Sequence, residues 1–349
     1  MGLDKRVVGI AYAYNPGDEY ALLKKAGIQW VRMGAPFPWT DRMHGKASDA
    51  YRIARRKIEA AHRAGFRVMP VTPGLGSYRF VQSEGRTRWV ESWPAFCGEK
   101  GTAAFLDNVR ATCRWIAQDL GDKVGPLWQI MNEIDGETFR GDYPIEQVAE
   151  TARASAEGVV SADADAMCGI NPSHFSPRSL PTTDLVYRKP HSFAYVGDDE
   201  YFGSWGPGTV EDWVGVLDGL YERFGLPVLA NEWGYPSAGP LRPMPDEKEV
   251  PKGWSGVCAV QGWQNEVPGG HTEATAAEYL RRGLEIFATH PHCLGSFIFC
   301  WKDATHCYHC GQAGCPAECA WGIVDSDAKP KAAYRAVQEA VARYYGSPR

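Results

Sequence analysis

The 349-residue sequence predicts a (β/α)8 barrel, read as one domain over residues 1–349. Three observations carry that expectation. Short apolar runs alternate with amphipathic stretches eight times, the joints after helices are short, and every long segment follows a strand run. Strands buried on both faces read as continuous apolar runs, and eight strand–helix units with right-handed crossovers close into a barrel. An open doubly wound sheet is the alternative, but no Gly-x-Gly-x-x-Gly loop follows the first strand.

The elements follow in order. Strand 7–14 leads to helix 19–26, which stops at Gly27. Strand 30–34 precedes helix 50–64, stopped by Gly65, and strand 67–72 precedes the long segment 73–101 and helix 102–120, stopped by Gly121. Glycine just past a helix suits the left-handed stop residue. Strand 127–132 leads to helix 145–161, and strand 166–170 to segment 171–183 and the weakest helical pattern, 179–188. Strand 193–196 is followed by helix 210–224 with Gly225, strand 227–230 by the long segment 231–271 and helix 273–289, and strand 294–300 by segment 301–329 and helix 332–345. The helices show apolar residues at three- and four-residue spacing.

A formal charge of −5 with no Lys/Arg run argues against a nucleic-acid surface. No stretch approaches the ~18 apolar residues of a membrane span. The start, Met1-Gly2-Leu3-Asp4-Lys5-Arg6, runs directly into a strand pattern, so no secretory leader is expected. The long segments carry Trp89, Trp93, Trp205, Trp254, Trp263, Trp301 and Trp321. Such flat faces either stack on the C–H faces of sugar rings or pack the loops onto the rim. Trp301, at a strand terminus, is expected to point toward the site.

Two strand runs end in a carboxylate: Leu127-Trp128-Gln129-Ile130-Met131-Asn132-Glu133, and Pro227-Val228-Leu229-Ala230-Asn231-Glu232-Trp233-Gly234. A charge where a buried strand stops is costly unless it serves a site. Two of them suggest the paired carboxyl groups of glycoside cleavage.

Asn132-Glu133 ending strand four and Glu232 ending strand seven resemble the signature of the clan A retaining glycoside hydrolases, with family 5 the nearest general match over the whole chain. The resemblance implies Glu232 as nucleophile and Glu133 as acid/base, raised in pKa by burial and its neighbouring carboxylate. It implies Arg32 and Tyr201 holding the nucleophile, Asn132 on the substrate 2-hydroxyl, and Trp301 as floor of the cleaved subsite. The tail Trp321-Gly322-Ile323-Val324-Asp325, with Lys329-Pro330-Lys331 and Tyr334, is also similar. Two departures are Pro70-Val71-Thr72-Pro73, where a His is usual, and Asp199-Glu200-Tyr201 in place of His-x-Tyr. His174, after strand five, supplies the imidazole instead or serves as a loop hydrogen-bonder. Trp205 joins the candidate substrate-binding residues.

The Cys-rich insertion 302–321 contains Cys307, Cys310, Cys315 and Cys319 at spacing C-x2-C-x4-C-x3-C. Four thiolates so close suit a closed, structural zinc site, with two disulfides as the alternative and an iron–sulfur cluster matching neither common ferredoxin spacing. His306 or His309 could replace one sulfur. Zinc implies a reducing cytoplasm, and disulfides imply secretion. Of the other cysteines, Cys113, Cys168, Cys293 and Cys300 read as core residues, while Cys97 and Cys258, both in long loops, could pair.

The sequence thus predicts a retaining β-glycoside hydrolase acting on a β-linked polysaccharide or oligosaccharide, with no catalytic cofactor. An exo-acting β-glycosidase on small glycosides, a non-catalytic glycan-binding barrel and a zinc-centred hydrolase or interaction protein remain alternatives.

Overall fold

The computed structural model describes residues 3, 6–11, 18–81, 83–239, 258, 265–315 and 317–346. Trp254, Trp263 and the last three residues expected in strand 7–14 lie outside them. Eight parallel strands form the main sheet. They are β1 Val7–Ala11, β2 Trp30–Gly34, β3 Arg67–Val71, β4 Leu127–Gln129, β5 Met167–Gly169, β6 Val196–Glu200, β7 Val228–Trp233 and β8 Cys293–Ile298. Their order is β5-β4-β3-β2-β1-β8-β7-β6. Backbone donations from Ala194 to Cys168 and from Gly197 to Ile170, both 2.9 Å, bridge the seam between β5 and β6. The sheet is therefore a nearly closed barrel.

Helices alternate with the strands: α1 Asp18–Lys25, α2 Asp49–Arg63, α3 Ala103–Leu120, α4 Ile145–Ala162, α5 Leu180–Val186, α6 Trp213–Phe224, α7 Glu273–Thr289 and α8 Ala332–Tyr344. Local chemistry explains their ends. Ser48, Thr102 and Thr272 cap α2, α3 and α7 by accepting backbone N–H bonds from Tyr51, Phe105 and Thr275. Gly225 closes α6 in the left-handed region, at φ 67°. In α3 the buried residues Phe105, Val109, Cys113, Ile116 and Leu120 recur at helical spacing and face the barrel. No described helix is long and apolar enough to cross a membrane.

Inside the barrel, Val7, Trp30, Met69, Leu127, Tyr195, Leu229 and Phe297 form an apolar cluster, one residue from nearly every strand. Glycine makes room for its rings. A Cβ on Gly9 would meet the Phe297 ring at 2.4 Å, and one on Gly169 the Tyr195 ring at 2.3 Å. This plug fills one level of the interior, and polar side chains nearer the strands' C-terminal ends occupy the next.

Two departures from expectation concern the site. The sixth strand runs Val196–Glu200 rather than 193–196, so it includes three acidic residues, all buried. The segment after β3 contains an antiparallel hairpin, Gly76–Val81 with Arg86–Glu91. It docks on the Cys-rich loop through Phe80 N–H to Tyr308 O at 3.2 Å, Thr87 Oγ1 to His309 O at 2.9 Å and Tyr308 hydroxyl to Ser77 Oγ at 2.9 Å.

Candidate active site

The site grows out of irregular strand ends. Consecutive residues of a regular strand point to opposite faces. Along β6 and β7 the register jumps from Asp198 opposite Ala230 to Asp199 opposite Glu232, leaving Asn231 as an extra residue. Such a bulge re-aims side chains, and here Asn231 and Glu232 both reach inward. Asn231 Nδ2 donates to Gln129 Oε1 at 2.9 Å, while Glu232 meets Arg32 and Tyr201.

The end of β4 breaks its alternation through backbone strain. Met131 and Glu133 have φ of 59° and 39°, in the left-handed region that costs a non-glycine residue ~1–3 kcal/mol. Hydrogen bonds hold them there: Met131 N–H donates to Thr72 Oγ1 at 3.0 Å and Glu133 N–H to Asn171 Oδ1 at 3.4 Å. Asn132 can then turn into the barrel while Glu133 lines the pocket.

Arg32, on β2, uses three nitrogens. Nη1 donates to Glu232 Oε1, Nε to Gln129 Oε1 at 2.6 Å and Nη2 to Asn132 Oδ1 at 2.6 Å. Tyr201 donates its hydroxyl to the other oxygen, Glu232 Oε2. Both oxygens of Glu232 are thereby fixed. Asn132 Oδ1 also accepts from Asn171 Nδ2 at 2.9 Å and Gln129 Nε2 at 3.1 Å. With three donors on its oxygen, Asn132 presents its amide NH2 as the group available to a ligand.

One carboxylate oxygen from each of Glu133, Asp199 and Glu232 lies within 4.8 Å of the others. Burial, then the charges of Glu232 and Asp135, push the Glu133 carboxyl well above the usual range. Burial, then Glu232 and Glu133, do the same to Asp199, whose Oδ2 accepts from Asn171 Nδ2 at 2.7 Å. Three acids this close cannot all ionise at ordinary cost, so protons are retained among them.

The pocket over these groups is a cavity of about 630 Å³, within the range of small-ligand sites. His174 and Trp205 line it. His174 Nδ1 pairs with Glu200 Oε2 at 2.9 Å, and Glu200 Oε1 accepts the Phe175 N–H at 3.0 Å, so Glu200 anchors the loop after β5. Burial alone would lower the His174 pKa, but the hydrogen bond and charge of Glu200 outweigh it and raise it.

Trp301 is a correction. It is 1% exposed, does not line the pocket, and donates its indole N–H to Glu19 Oε2 at 2.9 Å. It lies beyond the end of β8, where strand alternation no longer fixes its direction. Phe299 lines the pocket instead, packed edge-on against Trp321 at 5.6 Å and Tyr201 at 5.8 Å. Of the other loop tryptophans, Trp93 and Trp321 are buried, as loop-packing residues are, and Trp89 sits in the hairpin bonded to Glu91.

The cysteines need a second correction. The sulfurs of Cys258, Cys307, Cys310 and Cys315 lie within 4.8 Å of one another, and Cys319 is not among them. Cys319 Sγ instead sits 4.0 Å from Gln312 O. Cys97 does not meet Cys258; its sulfur is 3.9 Å from Met43 Sδ. Neither His306 nor His309 belongs to the sulfur group: His309 pairs with Glu318 at 3.1 Å, and His306 Nδ1 contacts Thr305 at 3.2 Å. Spacing along the chain favours a local fourth sulfur, whereas the fold brings up that of Cys258, 49 residues before Cys307.

Sequence reasoning passed over Gln129, Asn171, Asp199, Asn231 and Phe299. The available signal was polar side chains inside runs that should be wholly apolar: Gln129 within Leu-Trp-Gln-Ile-Met, and Asn231 before Glu232.

No protein-family model and no curated protein matches the chain. Solved structures do. A GH2 beta-galacturonidase from Eisenbergiella tayi bound to galacturonate is 17% identical with a TM-score of 0.59, over 98% of this chain and 52% of that one. A beta-D-glucuronidase from Dictyoglomus thermophilum is 13% identical with a TM-score of 0.61, over 99% and 51%. A Bacteroides uniformis beta-glucuronidase 2, covalently bound to cyclophellitol-6-carboxylate aziridine, is 16% identical with a TM-score of 0.61, over 97% and 35%. The chain spans about half the length of these proteins or less. At such identities the likeness establishes the barrel fold. The family named is GH2, so it does not support family 5 in particular.

Proposed function

We propose that this chain is a retaining β-glycoside hydrolase cleaving β-linked oligosaccharides or polysaccharides, with Glu232 as nucleophile and Glu133 as acid/base. One observation carries the reading: Glu232 is clamped between Arg32 and Tyr201 while a Glu133 oxygen lies within 4.8 Å of it. Carboxyl groups about 5–5.5 Å apart suit double displacement, whereas inversion needs ~6.5–9.5 Å to admit a water.

In the first step a Glu232 oxygen bonds to the anomeric carbon as the glycosidic C–O bond breaks, and Glu133 gives its proton to the departing oxygen. In the second, Glu133 takes a proton from water as that water displaces Glu232. Burial keeps Glu133 protonated for the first step, and the loss of negative charge on Glu232 in the covalent intermediate lowers its proton affinity for the second. The Asn132 amide donates to the sugar 2-hydroxyl, a contact that strengthens as the ring gains oxocarbenium character. The cysteine group would supply no step, since a metal ion held by all four sulfurs would have no open position for water or substrate.

A second substrate class, β-linked uronic acids, is favoured by the names of the neighbouring structures and by His174, Arg178 and Lys302 on the pocket wall. Release of aryl alcohol from a panel of aryl β-glycosides and β-uronides tests both. Turnover of at least one substrate, lost in Glu232→Ala and accompanied by a covalent glycosyl-enzyme in intact-mass spectra with a 2-fluoro-glycoside, is expected. A panel without turnover, or full activity in Glu232→Ala, would overturn the assignment.

A further inference from the structure

We infer that Cys258, Cys307, Cys310 and Cys315 bind one structural zinc ion that cross-links the segment after β7 to the loop after β8. The inference is independent of the reaction proposed above.

The geometry has three parts. The four sulfurs all lie within 4.8 Å of one another. A tetrahedron with Zn–S arms of about 2.3 Å places its sulfurs ~3.8 Å apart, so the group needs only small adjustment. Cys258 and Cys307 are 3.5 Å apart, well beyond the ~2.05 Å of a disulfide. Next, all four side chains are buried, at 0–3% exposure. Four thiols packed together gain little that four small apolar residues would not provide. Four thiolates around a divalent cation form one ligated unit whose residual charge of about −2 is spread over the sulfurs and open to stabilisation by nearby amide N–H groups. Finally, the backbone is set to support charged sulfur. Amide N–H groups of Cys310, Gln312 and Ala317 face Cys307, Cys310 and Cys315 respectively. Gly311, at φ 71°, lets the chain turn sharply after Cys310, and its N–H closes back on Cys307 O at 2.9 Å. Outer hydrogen bonds of this kind orient metal ligands.

Chain position gives the site its role. Cys258 lies between β7, which carries Glu232, and α7, whereas its partners lie between β8 and α8. One ion thus fastens two consecutive barrel loops. Trp205, a pocket residue, packs on the cluster, and the His309–Glu318 pair beside it lines the same pocket. The ion's work is to hold that wall in place.

The full chain, purified without chelator, is assayed by metal analysis and by optical spectra after cobalt exchange. One zinc per chain is expected, with the intense thiolate-to-cobalt and tetrahedral d–d bands of a four-sulfur site. Cys319→Ser should keep full zinc content, while Cys258→Ser and Cys310→Ser should lose at least tenfold in zinc affinity. If Cys258→Ser does not fold, Cys258→His should retain the metal with one fewer sulfur in the cobalt spectrum. Loss of zinc in Cys319→Ser but not in Cys258→Ser would overturn the ligand set. Stoichiometric iron instead of zinc, or disulfides in the metal-free isolated chain, would overturn the ion.

Discussion

Replacing Tyr201 by Phe removes one hydroxyl and little else. The ring lies edge-on to Trp321 at 5.0 Å and to Phe299 at 5.8 Å, contacts that Phe keeps. What is lost is the O–H donated to Glu232 Oε2. In the second step of the proposed double displacement Glu232 would be the leaving group, and this donor would stabilise the charge returning to it. A hydrogen bond to a charged group is worth ~1.5–3 kcal/mol, which corresponds to a roughly 10- to 150-fold fall in the rate of that step. Because the glycosyl-enzyme then breaks down more slowly than it forms, KM should fall with kcat, and stopped-flow release of an activated aryl alcohol should show a burst. Tyr201→Phe with kcat within about threefold of wild type, and no burst, would refute the assigned role.

Other outcomes follow from the same geometry. Turnover should fall as pH rises through the raised pKa of Glu133; Asp135→Asn removes a charge that raises it, so the alkaline limb of kcat/KM should shift to lower pH, and an upward shift would contradict the assignment. Asp199, raised in the folded state above the ~3.9 of an unfolded chain, holds a proton the unfolded chain releases, so its contribution to stability is lost as pH rises from about 4 through the raised value. The melting temperature of Asp199→Asn minus that of wild type should therefore grow with pH in that window, and a difference that shrinks would count against it. Phe299→Ala should raise KM with the fold intact, whereas Trp301→Ala should cost ~3–5 kcal/mol of stability in denaturant titrations; the reverse pattern would return the floor to Trp301.

Much of this architecture was legible in the residues themselves. β2 and α7 fall where the sequence placed them to the residue: β2 is a short run buried until Gly34, and the buried residues of α7, from Ala276 to Phe287, recur at helical spacing. That Glu133 and Glu232 meet was legible because carboxylates ending apolar runs are conspicuous. The sixth strand was misplaced for the opposite reason. Asp198, Asp199 and Glu200 read as loop, and only the tertiary setting makes them a strand: Asn171 meets Asp199 and His174 meets Glu200, while burial and then the charge of Glu200 push the Asp198 carboxyl well above the usual range, toward the neutral acid. The hairpin after β3 escaped notice because Arg79, Arg86 and Arg88 give it a solvated composition. Cys258 could not be chosen over Cys319 from spacing, since the choice depends on how two loops meet in space.

Gln129 has both ends of its amide occupied. Its oxygen receives Arg32 and Asn231, and its nitrogen serves Met131 O and the side chains of Asn132 and Asn171. A single side chain thus keeps β2, β7 and the ends of β4 and β5 in mutual alignment, without itself lining the cavity. Diversification of substrate preference would accordingly be confined to the loops above it: libraries that vary the rim while leaving residue 129 alone should yield working variants, and those that vary residue 129 should yield almost none.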